Sequence, residues 1–409
     1  MNIVLTAYNN FKKLIQEVLE NTTIKLGKVL VRFLQIATLT TVSIRGRANF
    51  LQFMRYSGFN EKTFRNNFNK TVPWASINTE LAHKELQDRS HVVIAIDPAH
   101  INKAGECTPG IGMYWSGTES KPKHGLEILA LCAIDYTTGR TIMIGAEQSL
   151  PDMGDGEHLS MTACYLAGVR RHEPELMGLS TVMVADSFFS RKTFVLEIVK
   201  DGFTLVSKLP VNASLRYLAD EAFLQRRGKR RGYKPRYAGK VDTSAPDSAF
   251  LEKRHIGKCG SIYTGVVHSV SLDMDIRIVF GKFGRKTVSI LFSTDVSMAA
   301  EDIIRIYSSR FRIEFGIRDA KQFTGLGHSQ ARDKRRLAFA FNLSFFTRNM
   351  LQTEVDRLFP KYSVGMLKKI ISDTDFALKI MQNAVPDKIS CETVAKIEQL
   401  IAKYVGVAA

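Results

Sequence analysis

Apolar positions change period along the chain, and each change marks a different kind of element. In residues 1–80 they recur at three and four, in FKKLIQEVLE (11–20) and KVLVRFLQIATL (28–39), which predicts helices. RANFLQFMRYSGFNEKTFRNNF (47–68) reads as two short helices broken at Ser57–Gly58, with Asn60 capping the second. Lys62, Arg65 and Lys70 stand there for phosphates. The pattern fits a helix-turn-helix and equally a helical cap on a core.

From residue 91 the runs become short and continuous, as in buried strands. They are VVIAI (92–96), GMYW (112–115), LEILALCAI (126–134) and TIMIGA (141–146). A helical stretch at 158–171, the run TVMVAD (181–186), a second helical stretch at 190–202 and FTLVSKL (203–209) follow. Strands in series, then strands alternating with helices, predict an α/β fold with a mixed sheet. A ribonuclease-H-like core fits this order: a meander first, then strands joined through helices. Residues 211–297 hold further strand-like runs (SIYTGVVHSVSL, DIRIVF, TVSILFS) and read as a β-rich insertion. A long amphipathic helix is expected over 298–325, ended by Gly325 and Gly327. The remainder is helical. The expected divisions are a helical DNA-binding domain (1–85), the first part of the core (86–210), the insertion (211–297), a catalytic helix completing the core (298–336) and a helical C-terminal region (337–409).

Charge narrows the class of partner. The formal net charge is +17, which fits an anionic polymer. RRGKRRGYKPRYAGK (226–240) contains no acidic residue. Its Arg226, Arg227, Lys229, Arg230, Arg231, Lys234, Arg236 and Lys240 suit a DNA backbone. Arg332, Lys334, Arg335 and Arg336 form a second basic patch. Five scattered cysteines without a CxxC indicate thiols in a reducing compartment. No apolar run reaches the length of a membrane span. We expect a soluble protein of the cytoplasm, without a membrane partner.

Two apolar runs end in carboxylates, Asp97 and Asp186, 89 positions apart. Either aspartate alone reads as readily as a turn. Asp135 leads into YTTGR, a hairpin turn, while Asp273 and Asp275 read as an exposed strand face. The helix around residue 314 adds the context. Tyr307, Arg310, Glu314 and Lys321 share a face at helical spacing. Spacing alone also permits a surface helix with an i,i+4 ion pair. Three carboxylates suit two Mg2+ ions about 3.5–4 Å apart, the arrangement that serves phosphodiester chemistry. Asp97 would bridge both, and Asp186 and Glu314 would each hold one. Arg310 and Lys321 would grip phosphates, with Tyr307 supporting a phosphate or Glu314.

The segment from Tyr307 through Arg310 and Glu314 to Lys321 resembles the tyrosine–arginine–glutamate–lysine (YREK) signature of a class of bacterial insertion-sequence DDE transposases. The resemblance spans roughly residues 90–345. It implies a ribonuclease-H-like core with a β insertion ahead of the glutamate helix. It implies catalysis and metal binding by Asp97, Asp186 and Glu314, with Mg2+ as cofactor and Mn2+ as a substitute. The implied activity is cleavage at the terminal inverted repeats of an element and joining of 3′-hydroxyls to target DNA by a homodimer assembled on double-stranded DNA. In a bacterial cytoplasm such an enzyme is nucleoid-associated when bound. A nuclease without strand transfer and a non-catalytic DNA-binding relic are the alternatives. The chain departs from the class in two places. Phe188 stands where a small residue is usual after the second aspartate, although Phe189 keeps the aromatic position. Several members stack a tryptophan of the insertion on a flipped base, but Trp74 and Trp115 both lie outside 211–297. Tyr233, Tyr237, Phe250 and Tyr263 are the aromatic substitutes.

Overall fold

A computed structural model describes residues 3–86, 88–117, 119–151, 158–226, 235–242, 247–257, 260–282, 288–384 and 396. The β-branched runs form one mixed sheet. Its first part comprises β1 (Val92–Asn102), β2 (Gly112–Ser116), β3 (Lys121–Asp135), β4 (Thr141–Gln148), β5 (Val182–Val184) and β6 (Thr204–Leu209). β1, β3 and β4 are an antiparallel meander, and β2 is a hairpin partner to the start of β3. β5 lies parallel to β1, and β6 parallel to β5. Parallel neighbours need long crossovers. Here α6 (Met161–Arg171) and α7 (Glu173–Leu179) lead into β5, and α8 (Lys192–Lys200) leads into β6. The spatial order β4-β3-β1-β5-β6 is the expected ribonuclease-H-like arrangement.

The β-rich stretch continues the same sheet. It contains β7 (Leu215–Leu218), α9 (Glu221–Arg226), β8 (Tyr237–Lys240), β9 (Glu252–Ile256), β10 (Gly260–Ser269), β11 (Met274–Lys282) and β12 (Val288–Ser293). β12 pairs antiparallel with β6, and β11, β10, β7 and β8 follow outward. Asp273 is not on a strand face. It occupies the β10–β11 turn at φ +57°, a left-handed conformation that aspartate tolerates better than most residues. The Asp275 carboxylate accepts from the His268 ring Nδ1 across that hairpin, at 2.8 Å.

Helices flank the sheet at both ends of the chain: α1 (Ile3–Glu20), α2 (Lys28–Ser43), α3 (Phe50–Ser57), α4 (Glu61–Asn67) and α5 (Trp74–Glu85), then α10 (Ala300–Ser309), α11 (Phe311–Asp319), α12 (Lys334–Leu358) and α13 (Val364–Ala384). Gly58 ends α3 at φ +74°, and the Asn60 side chain accepts from the Lys62 amide to start α4. The N-terminal helices and α12 pack on one aromatic cluster. Phe339 of α12 lies 4.3 Å from Phe68 and 5.3 Å from Trp74 between ring centroids.

α12 is almost wholly buried yet carries Asn342 and Asn349, seven residues apart and so on one face. β4 has β3 on one side, and its other edge faces α12. Asn342 Oδ1 accepts from the Ala146 amide at 2.9 Å, and its Nδ2 donates to the Ala146 carbonyl at 3.0 Å. Asn349 treats Met143 in the same way, at 2.9 and 2.8 Å. Asn78 of α5 donates to the Ile144 carbonyl. Three amides thus replace a missing neighbour strand, satisfying an edge that would be costly to bury bare. Asn349→Ala is expected to cost about 2–3 kcal/mol in urea unfolding, because it strands buried backbone groups. Arg335→Ala, at the exposed start of the same helix, should stay within about 0.5 kcal/mol.

Candidate active site

Strand register brings the two aspartates together. β1 and β5 pair in parallel through Ile94↔Met183 and Ala95↔Val184. Asp97 and Asp186 each stand two residues past that last pair. Adjacent strands are about 4.8 Å apart, so equal offset makes the two carboxylates neighbours at the carboxyl edge of β5. Asp97 does not end its own strand as the apolar run suggested: β1 runs on to Asn102, paired with β3 throughout. β1 is also where the sheet changes from antiparallel to parallel, the place where an open sheet leaves a crevice. β5 stops at Val184, and Asp186 then caps a short 3-10 turn over Ser187–Phe189. Its side chain accepts from the Phe188 amide at 2.9 Å, and its carbonyl accepts from the Ser207 hydroxyl at 2.8 Å. Phe189 is buried against Phe194, whereas Phe188 is half-buried beneath the Arg191 guanidinium.

The third carboxylate arrives on α11, which packs over β1, β3 and β4. The single helix expected over 298–325 is interrupted. α10 ends at Ser309 and α11 begins at Phe311, with the Arg310 amide bonded to the Tyr307 carbonyl at 3.2 Å. Ser309 turns its hydroxyl onto the Ile306 carbonyl at 2.7 Å, a local competition that bends helices. Beyond Asp319 the chain widens into a π-turn over Ala320–Thr324, which carries Lys321, and Gly325 ends it at φ +81°. Gly316 sets the depth of α11. A Cβ there would lie 2.6 Å from Met143 Sδ on β4, so glycine lets the helix approach the sheet. The chemistry-bearing pattern around Glu314 gave no hint of this role; the signal was a glycine inside a helix.

Arg310 joins the parts. Its side chain is only 8% exposed, and it donates from Nη2 to Glu314 Oε1 at 2.8 Å while Nη1 stands 3.7 Å from Asp97 Oδ1. Glu314 and Asp97 therefore face each other across one planar guanidinium. The Arg310 Nε has no hydrogen-bond partner. Burial pushes the Asp97 carboxyl up to about 7, against the pull of Arg310, with Asp186 and Glu314 adding repulsion and Lys321 relieving it. Asp186 is also raised, chiefly by burial and partly by Glu314, against hydrogen bonds from the Phe188 and Phe189 amides. Burial lowers Lys321, which Asp97 partly restores. Burial raises Tyr307, whose hydroxyl hydrogen-bonds with Arg310 and feels Asp186 and Glu314. All six residues of the expected constellation thus act on one another in one crevice.

Among the described residues no three His, Cys, Asp or Glu side chains stand close enough together to hold a metal ion. Arg310 lies between Asp97 and Glu314 instead. In kind the donors fit a hard divalent cation: three carboxylates, with a buried negative charge on Asp97 that one arginine leaves under-compensated.

A transposase DDE domain family matches residues 89–350. The chain belongs to this family. A cryo-EM structure of a piggyBac transposase synaptic complex with hairpin DNA is similar to this transposase at TM-score 0.43 and 12% identity, covering 98% of this chain and 85% of that one. A search of curated proteins finds no match.

The basic candidates are dispersed. Lys62 and Arg65 are exposed on α4, and Arg65 pairs with Glu61. Arg332, Lys334 and Arg335 are exposed at the start of α12, and Arg336 donates to Asn69 at 2.9 Å. Arg226 ends α9, and Arg236 stands 3.7 Å from Asp275. Arg227, Lys229, Arg230, Arg231, Tyr233 and Lys234 lie outside the described residues. Of the aromatic candidates, Phe250 stacks on Tyr217 and Tyr263 on Phe280, while Tyr237 lies against the His268 ring. Trp74 is buried, whereas Trp115 on β2 is 62% exposed.

The raised Asp97 carboxyl has a consequence for stability. Its folded pKa of about 7 lies above the ordinary 3.8, so the folded state binds more protons between those values. Stability of the metal-free transposase falls as pH rises through that window. Asp97→Asn removes the buried charge. Without divalent ions it should be more stable than the parent at pH 8 by roughly 1–4 kcal/mol, with the gap closing near pH 4. Urea unfolding at the two pH values checks this; a less stable variant at pH 8 contradicts it.

Proposed function

We propose that this transposase belongs to the bacterial insertion-sequence class with the YREK signature. In this reading it cuts the terminal repeats of its own element and joins the freed 3′-hydroxyls to target DNA. The supporting observation is the equal offset of Asp97 and Asp186 beyond one parallel strand pair, with Glu314 linked to Asp97 through Arg310.

Asp97, Asp186 and Glu314 would hold Mg2+, with Mn2+ as a substitute. When bound, the ions supply Lewis-acid charge at the phosphorus and an activated oxygen nucleophile. The chain's own residues prepare the site for that charge. Burial of Asp97 and Asp186 keeps water from screening them, which strengthens their hold on any cation. Arg310 keeps two like-charged carboxylates together in the cation-free state. Its fork and the Lys321 ammonium suit phosphate oxygens on either side of the scissile bond, and Tyr307 would support a phosphate or Glu314. α3 and α4, with the basic residues of 226–240 and 332–336, would hold the element end. The active assembly is a homodimer on double-stranded DNA in a bacterial cytoplasm.

The direct test incubates the transposase with Mg2+ and duplexes carrying candidate terminal repeats. It should yield nicked ends and then joined products. Glu314→Gln should lower both by about a hundredfold or more while retaining DNA binding in a gel shift. Cleavage without joined product would replace this reading with a nuclease; binding without cleavage would leave a DNA-binding relic.

A further inference from the structure

α11 also borders a cavity of about 560 Å3. It lies between α11, the β3–β4 turn, α12 and the start of α13. Arg140, Arg312, Arg318 and Arg348 line it, against the carboxylates of Asp319 and Asp356. Asp319 is engaged by Arg318 at 3.3 Å. Asp356 accepts from Gln352 at 2.7 Å, and burial raises its carboxyl. Four guanidinium groups around one space repel, and two partly engaged carboxylates do not balance them.

Arg348 makes the imbalance acute. It is 3% exposed. It donates from Nη1 to the Thr141 carbonyl at 3.1 Å and hydroxyl at 3.0 Å, and from Nη2 to Gln352 at 3.2 Å. Its Nε has no partner. A buried unpaired donor on a charged group costs more than a neutral one. The walls also make room for the guanidinium groups. Gly139, at φ +75°, has no Cβ where one would meet Arg312 Nη2 at 2.7 Å. Arg318 lies over the Phe315 ring, 4.8 Å from its centroid. Planar forks lining one space suit a ligand with several anionic oxygens.

We propose that this cavity is an anion site that takes a phosphate group. The phosphate belongs either to a DNA backbone lying along the flank of α11 or to a small polyphosphate. Only the first source rests on the function proposed above. The site shares no lining residue with the crevice, since Asp97, Asp186, Tyr307, Arg310, Glu314 and Lys321 do not border the cavity.

Inorganic pyrophosphate, titrated into the full-length protein with divalent ions removed, is the probe. Thermal melting should show saturable stabilisation of the wild type by a few degrees. Arg312→Ala/Arg318→Ala, which changes two exposed side chains, should raise the apparent Kd by about tenfold or more. Lys321→Ala should retain the wild-type response, which separates this cavity from the catalytic crevice. Release of pyrophosphate by a random-sequence duplex identifies the DNA backbone as the source; binding undisturbed by duplex identifies a free polyphosphate. Absence of saturable stabilisation overturns the proposal, as does an unchanged Kd in the double variant. Failure to cleave element ends, with pyrophosphate binding intact, counts against the proposed function and not against this site.

Discussion

The parallel pairing of β1 with β5 is the constraint on which the rest depends. It converts two aspartates 89 positions apart into neighbours at the carboxyl edge of β5, alongside the middle of β1. Everything else at the site is arranged around them. α11 lies on the face of β1, β3 and β4 at a depth set by Gly316, and that depth presents Glu314 to the same edge. α12 holds β4 through Asn342 and Asn349, fixing the strand against which Gly316 rests. A slip of one residue between β1 and β5 would turn the two carboxylates to opposite faces.

The crevice is electrostatically unbalanced in the cation-free state. Burial disfavours charge on both aspartates, and Arg310 is the cation closest at hand. A buried ion pair of this kind is a poor source of stability, since desolvation offsets most of the attraction. Its value lies in readiness. An arginine between two carboxylates keeps them together in the place where a divalent ion would draw them in. The same guanidinium suits phosphate once it is released from them. The chain thus carries a stability cost at the place where the proposed function calls for affinity toward cations and phosphates.

Much of this was legible in the sequence because the signals are local. Continuous apolar runs marked β1, β3, β4, β5 and β6, and the spacing from Tyr307 to Lys321 marked the helical segment that carries Glu314. What escaped depends on distant partners. The interruption at Ser309 follows from a hydroxyl choosing a backbone carbonyl, which helical periodicity does not register. α7 is too short, at seven residues, to show a period. The union of β6 with β12 into one sheet is a long-range choice that strand propensity leaves open. Asn342 and Asn349 look misplaced in an apolar helix until the bare edge of β4 is in view. Phe188 is accommodated at the rim of the aromatic cluster, edge-on to Phe189 and Tyr165 on one side and under Arg191 on the other.

The central claim is that Asp97, Asp186 and Glu314 converge on bound divalent cations. Iron-directed backbone cleavage tests it without any DNA. Fe2+ bound in place of Mg2+, with ascorbate and peroxide, cuts the chain next to wherever the ion sits. The account predicts cuts near residues 97, 186 and 314 together, all suppressed by excess Mg2+ and all lost in Asp97→Asn. Cuts confined to one of these segments, or unaffected by Mg2+, would contradict it.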